Sequence, residues 1–289
     1  MSSPLRTPTR IAVVTVSYGS AEVLGGFLAS IPAAADGPVG VTVADNKPAA
    51  NVRAEAEAAG ARYLPQSKNS GYGGAMNAAI ATLAPEIDWV LISNPDVVLH
   101  PDSVATLVSR GDSDHGIGAV GPAILTATGE LYPSARSVPS LRTGIGHALF
   151  ANFWVSNPWS RAYRNDQTAA SSSRDAGWLS GACLLVRRTA FDAVGGFDPD
   201  FFMYFEDVDL GYRLGLANYR NVYEPKAVVT HTGAHSTGTD SAAMIRAHHD
   251  SARLFLAKKY SGALLAPVRF ALTLSLGIRS AVIRHRLHD

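Results

Sequence analysis

Between residues 11 and 110, short apolar runs alternate with stretches that are apolar along one helical face, and this alternation restricts the fold more than any single residue does. Residues 11–17, 39–44, 62–64 and 89–93 have the length and composition of strands. Residues 21–31 place Val23, Leu24, Phe27, Leu28 and Ile31 on one helical face behind Ser20, a candidate N-cap. An Ala-rich helix is expected over 51–59, stopped by Gly60. The glycine-rich run Lys68 to Gly74 then enters a helix with Met76, Ala79, Ile80 and Leu83 inward. Strands separated by helices pair in parallel, because a crossover returns the chain to the same end of the sheet. The expectation is an α/β fold, a Rossmann-like sheet with helices on both faces.

With 289 residues and 47% hydrophobic composition, the chain has enough apolar surface for one large α/β domain or two small ones. A formal net charge of +1 supplies no global field for nucleic acid, so no such partner is expected. Cys183 is the only cysteine, which excludes an intramolecular disulfide and a cysteine-rich metal site; it reads as a core residue. Residues 1–10 are polar and read as a disordered N-terminus, and the apolar run after them is too short for a signal-peptide core. Residues 263–278 are broken by Pro267 and Arg269 and fall short of the roughly 20 apolar residues a spanning helix needs. A cytoplasmic protein is expected. Lys258, Lys259, Arg269, Arg279, Arg284 and Arg286 interleave with leucines near the C-terminus. Residues 239–289 therefore read as a helical segment that either rests on the cytoplasmic face of the plasma membrane or packs on the domain. The sequence selects no oligomeric state.

Carboxylates mark the ends of the apolar runs. Trp89 to Ser93 is followed by Asn94-Pro95-Asp96, and ligands of open α/β sheets gather beyond the carboxyl ends of strands. Asp96 can meet a nucleotide or its metal ion there, or merely cap a helix beginning near Pro101. Asp45 ends the second run, where it either bonds a ribose or base or orders the turn. The first turn, Ser17-Tyr18-Gly19-Ser20, lacks the glycine spacing of a dinucleotide-binding oxidoreductase. Residues 126–177 show little periodicity but are rich in Ser, Arg, Trp and Tyr, and read as an irregular binding wall. A strand over 182–187 and a short helix over 189–194, closed by Gly195-Gly196, come next. Glu206, Asp207 and Asp209 then open a helix with Leu210 and Leu214 inward. Acids in a first turn complement the helix dipole, but three in four positions exceed what that needs.

Taken in order, GYGGAMN, NPD, YPSAR, GWLSGACLLVRR, GGFD, FMYFEDVDLG and His231 resemble the inverting, metal-dependent GT-A glycosyltransferases of the family that includes cellulose and chitin synthases. The resemblance covers about residues 10–235. Within the family, the motifs look most like those of bacterial rhamnosyltransferases that use dTDP-rhamnose. The narrowest match is the mycobacterial type acting on polyprenyl-diphosphate-linked N-acetylglucosamine in cell-wall linker synthesis. The resemblance implies a nucleotide-sugar-binding half over 11–125 and an acceptor-binding, catalytic half over 126–238. It puts Val16, Tyr18 and Asp45 around the nucleoside, with Asn69, Gly71 and Tyr72 beside it. Asp96 becomes a ligand of Mn²⁺ or Mg²⁺, with Asn94 in the first position of a degenerate Asp-x-Asp motif and His231 as a further ligand. Neutral Asn94 is a poorer ligand than a carboxylate, which leaves more of the coordination to donor phosphates and water. Asp207 matches the catalytic base; Trp178, Ser180 and Gly181 match the acceptor side, and His235 and Ser236 the loop after His231. The polymerising relatives' Gln-x-x-Arg-Trp motif is absent, so addition of a single sugar to a lipid-linked glycan is expected. The alternatives are a UDP-sugar or galactofuranose donor, a non-catalytic sugar-binding module, and a nucleotidyltransferase, which would need a basic phosphate loop near the N-terminus that this chain lacks.

Overall fold

The computed structural model describes residues 10–140, 172–233, 241–262 and 266–267. Strand β1 (Ile11–Ser17) pairs in parallel with β2 (Gly40–Asp45) on one side and β4 (Trp89–Ser93) on the other, and β3 (Arg62–Pro65) extends the parallel set beyond β2. The crossovers are α1 (Ala21–Ala34), α2 (Ala50–Ala58) and α3 (Gly71–Ile80). Leu24, Phe27, Leu28 and Ile31 are buried on α1, as their spacing requires, and the helix runs on through Pro32. Ser20 does not cap it. Its Oγ accepts the Tyr18 N–H at 3.2 Å, so the hydroxyl stabilises the preceding turn rather than a first-turn amide. Helix α3 stops at Ile80, and Leu83 reaches the core from the turn beyond.

After β4 the sheet becomes mixed. The chain continues through β5 (Val97–Leu99), α4 (Ser103–Asp112), β6 (Ile117–Thr126), β7 (Leu131–Tyr132) and β8 (Ala135–Arg136). There follow β9 (Arg174–Ala176), β10 (Trp178–Leu179), β11 (Cys183–Arg187), α5 (Arg188–Ala193), α6 (Glu206–Leu216), β12 (Arg220–His231) and α7 (Ser241–Lys259). Strand order is β3-β2-β1-β4-β11-β6-β12-β5, with β11 antiparallel to both its neighbours and β12 parallel to β6. The described part of 126–177 is not irregular: β7 pairs with β6, β9 with β12, and β8 with β10 in a separate ribbon. Strands of two or three residues leave too little periodicity to read from sequence.

Alternation along β4 sends Trp89 and Leu91 to one core and Val90 and Ile92 to the other. The first core is closed by α1, α2 and α4, the second by α3, α5 and α6, which gives helical cover on both faces. Lys258 and Lys259, expected among membrane-facing cations, are committed to the domain. Lys258 pairs with Asp198 and, at 2.8 Å, with Asp200, while Lys259 donates to the Pro139 carbonyl at 2.7 Å. Among the described residues no helix is long and apolar enough to cross a membrane. The polar N-terminus, the aromatic stretch 152–164, His235, Ser236 and nearly all of 263–289 lie outside the described residues.

Candidate active site

The carboxyl end of β4 and the start of α6 are joined by the stretch Ser180 to Cys183. On one side the Asn94 N–H donates to the Ala182 carbonyl at 2.9 Å. On the other the Gly181 N–H donates to Asp207 Oδ2 at 2.9 Å. Gly181 suits this place because a Cβ there would sit 3.3 Å from Asp207 Cβ. The Tyr72 hydroxyl donates to the Gly181 carbonyl at 2.6 Å, tying α3 to the same stretch. Burial pushes its pKa well above the usual tyrosine value, and the charges of Glu206, Asp207 and Asp96 push it further. Tyr72 therefore lies within electrostatic reach of both acidic groups.

Asp96 is buried, and its Oδ1 lies 3.0 Å from His231 Nε2 at the end of β12. Asn94 Nδ2 lies 3.4 Å from the same nitrogen. The Asp96 carbonyl accepts the Thr232 N–H and hydroxyl, so the backbone locks this juxtaposition. Asp96 does not cap α4, where Asp102 holds the cap position without a side-chain bond. A carboxylate and an imidazole at a strand end suit a divalent ion whose remaining ligands are phosphate and water. Among the described residues no three His, Cys, Asp or Glu side chains cluster, so the donor set fits an ion shared with a substrate rather than a protein cage.

The acids of α6 fall into distinct environments. Asp209 accepts from Arg213 Nε at 2.6 Å, a buried i,i+4 ion pair that serves the helix. Asp207 accepts from two backbone amides, Gly181 on Oδ2 and Val208 on Oδ1. Burial raises its carboxyl above the usual range against these bonds. Glu206 is buried with Oε2 unpartnered, and burial together with the Asp207 charge pushes its pKa up to about 8. The two amides offset part of this rise at Asp207. Tyr204 and Phe205 precede these acids at φ +67° and +65°, which turns the chain sharply into α6.

The remaining expected residues divide between two places. Val16 is buried in β1, and Tyr18 is 57% exposed at its end with Lys47 Nζ 5.6 Å from the ring centre. Asp45 is fully buried and accepts from the Lys47 and Ala49 amides and the Tyr63 hydroxyl, the bonds of a turn-ordering carboxylate. Asn69 Oδ1 accepts the Gly71 N–H, and Gly71 packs against the Phe202 carbonyl. Near Asp207, Ser180 Oγ accepts the Ala182 N–H, while Trp178 donates to the Ser137 carbonyl and packs on the Val208–Phe255 cluster. Sequence reading passed over Asn46, which donates to the Gly71 carbonyl with its Oδ1 buried and unpartnered, and Arg136, whose charge acts on Asp207. Asn46 follows the strand-end Asp45 and Arg136 closes the YPSAR motif, so each adjoined or belonged to a recognised signal without being given a role of its own. Cys183 is buried, its thiol pushed up to about 12, which suits a core residue.

Residues 8–249 match the model of glycosyltransferase-like family 2. An N-acetylglucosaminyl-diphospho-decaprenol L-rhamnosyltransferase of Mycobacterium tuberculosis is 46% identical over 93% of this chain and 91% of its own length. The rhamnosyltransferase WbbL of Escherichia coli K12 is 26% identical over 86% of this chain and 93% of its own. Among solved structures, a mannosyltransferase of Pyrobaculum calidifontis in complex with GDP-Man and Mn²⁺ aligns with a TM-score of 0.59 at 16% identity, covering 93% of this chain and 70% of that one. The chain belongs to glycosyltransferase family 2, with the GT-A fold.

Proposed function

We propose that this enzyme transfers one L-rhamnose from dTDP-rhamnose to the N-acetylglucosamine of a polyprenyl-diphosphate acceptor, with inversion at the anomeric carbon. The observation that carries the reading is the placement of Asp207 on one side of Gly181-Ala182 and of Asp96 with His231 on the other. The rhamnosyl activity and the lipid-linked acceptor named for the 46%-identical relative support the choice of substrates.

Asp207 takes the proton from an acceptor hydroxyl as that oxygen attacks the anomeric carbon and the bond to the donor diphosphate breaks. The Gly181 and Val208 amides fix its orientation, and burial makes it a stronger base than a solvated aspartate. Asp96 and His231 would hold Mn²⁺ or Mg²⁺, which supplies charge neutralisation for a departing diphosphate. Glu206 retains its proton near neutrality, so it does not compete for the acceptor's. Incubation with dTDP- and UDP-sugars and N-acetylglucosaminyl-diphosphoryl lipids, with and without Mn²⁺ or Mg²⁺, tests the reading by product mass. A rhamnosylated lipid formed only from dTDP-rhamnose is the expected outcome. Transfer only from a UDP-sugar, or only to an acceptor without the diphosphate, overturns it.

A further inference from the structure

Arg136 ends the YPSAR motif, and none of the roles above uses it. On β8 it pairs directly with Trp178 of β10. Opposed residues of antiparallel strands project from the same face of their ribbon. The β10 strand lies against α6, where a Cβ on Gly211 would come within 2.7 Å of Trp178 Cα and Cβ. Gly211 is one helical turn beyond Asp207, so the ribbon carries Arg136 to the base end of α6. Its positive charge is accordingly felt at the Asp207 carboxyl.

Among the described residues the guanidinium is nevertheless only partly committed. Nε donates to the Pro133 carbonyl at 3.1 Å, but among the described residues its two terminal nitrogens find no acceptor and no carboxylate pairs with it. Arg136 is also partly exposed rather than sealed in the core. A guanidinium edge with two free N–H groups matches phosphate oxygens in shape and charge. We propose that Arg136 binds the diphosphate of the acceptor, setting the sugar hydroxyl against Asp207. The proposal deepens the acceptor assignment and rests on it. The acceptor's phosphate is favoured over the donor's because Asp96 and His231, the residues suited to a donor-bound ion, lie across Gly181-Ala182 from the base.

Binding measurements separate the possibilities without relying on turnover. A short-chain N-acetylglucosaminyl-diphosphoryl lipid, the neutral octyl N-acetylglucosaminide and dTDP are titrated into wild-type protein, Arg136→Ala and Arg136→Lys. The alanine variant should lose roughly 10- to 100-fold in affinity for the diphosphate lipid, the range expected for hydrogen bonds to a charged group. The lysine variant should recover part of the loss, while octyl glycoside and dTDP affinities stay unchanged. Unchanged affinity for the diphosphate lipid overturns the proposal, as does an equal loss for the octyl glycoside, which would mean a damaged pocket. A loss for dTDP instead assigns Arg136 to the donor phosphates and also overturns it. If wild-type protein binds the diphosphate lipid no better than the octyl glycoside, the acceptor assignment itself has failed, and that is visible before any variant is compared.

Discussion

Asp207 and Glu206 are adjacent carboxylates with different surroundings, two backbone amides at Asp207 and an unpartnered Oε2 at Glu206. Asp207→Asn preserves shape and removes the proposed base, so single-turnover rates should fall by roughly a hundred- to ten-thousand-fold while dTDP affinity holds. Asp96→Asn should instead weaken the Mn²⁺-dependent part of dTDP-sugar binding. Near-normal turnover in Asp207→Asn would pass the base role to Glu206, because Asp209 is occupied by Arg213. Glu206 also ties stability to pH. Its folded pKa is about 8 against an ordinary value of 4.5, so the folded state keeps a proton that the unfolded chain releases. Stability from this group therefore falls as pH rises from about 4.5 to about 8, then levels off. Glu206→Gln removes that dependence, and its thermal midpoint should gain on wild type from pH 5 to pH 8. Parallel midpoints across that interval would refute the assignment. The acids and Asp96 were visible in the sequence as candidates through strand ends and a surplus of first-turn charge, and His231 through the family resemblance. Arg136 was not, since its neighbourhood depends on the β8–β10 register between residues some 40 positions apart.

Helix α3 shows what its glycines do. A Cβ on Gly71 would lie 2.0 Å from the Phe202 carbonyl oxygen, and one on Gly73 2.9 Å from Phe197 Cβ, so both admit the segment that leads into α6. Gly71→Ala meets two penalties, a left-handed φ of +77° and that collision. Gly129 has φ +81° with nothing within 4 Å of where a Cβ would stand, so Gly129→Ala isolates the backbone term, about 1–2 kcal/mol. Urea unfolding should show Gly71→Ala destabilised well beyond Gly129→Ala, with turnover reduced because the chain before Glu206 must shift. Equal destabilisation would mean that Phe202 gives way freely. The same close approaches explain which elements sequence patterns reveal. Strands β1 and β4 carry clean apolar runs, whereas β6 contains Gly118, Gly121 and Pro122 and looks broken. Tyr219 and Leu179 fill the space at those two glycines, with contacts of 2.7 and 2.8 Å to an added Cβ. Strand β12 is similarly interrupted by its register shift between Glu224 and Val228. Tertiary packing, absent from any local window, supplies what these strands lack in pattern.

At the scale of the whole molecule, a lipid-linked acceptor requires that the site be brought to a membrane. Among the described residues no helix is long and apolar enough to cross one, and surface association is a route that can be tested. The cations nearest the domain are not available for it: Lys258 is held by Asp198 and Asp200, and Lys259 by the Pro139 carbonyl and the faces of Tyr212 and Phe255. Arg269, Arg279, Arg284 and Arg286 remain, each contributing about 1 kcal/mol if it reaches an anionic leaflet. Helix α7 has a different task. Its Ser251 hydroxyl donates to the Met203 carbonyl at 2.7 Å, and Phe255 packs on Phe205, directly before the acidic turn of α6. Removal of residues 263–289 should therefore weaken binding to anionic vesicles while leaving α7, dTDP affinity and the thermal midpoint nearly unchanged. Lys258→Ala should do the reverse, lowering the midpoint with vesicle binding intact. Sedimentation with phosphatidylglycerol and phosphatidylcholine vesicles, run alongside thermal melts of both proteins, distinguishes the two segments. Undiminished vesicle binding by the truncated chain would assign membrane contact to the folded domain, and a large loss in Lys258→Ala would mean that its ion pairs open at the lipid surface.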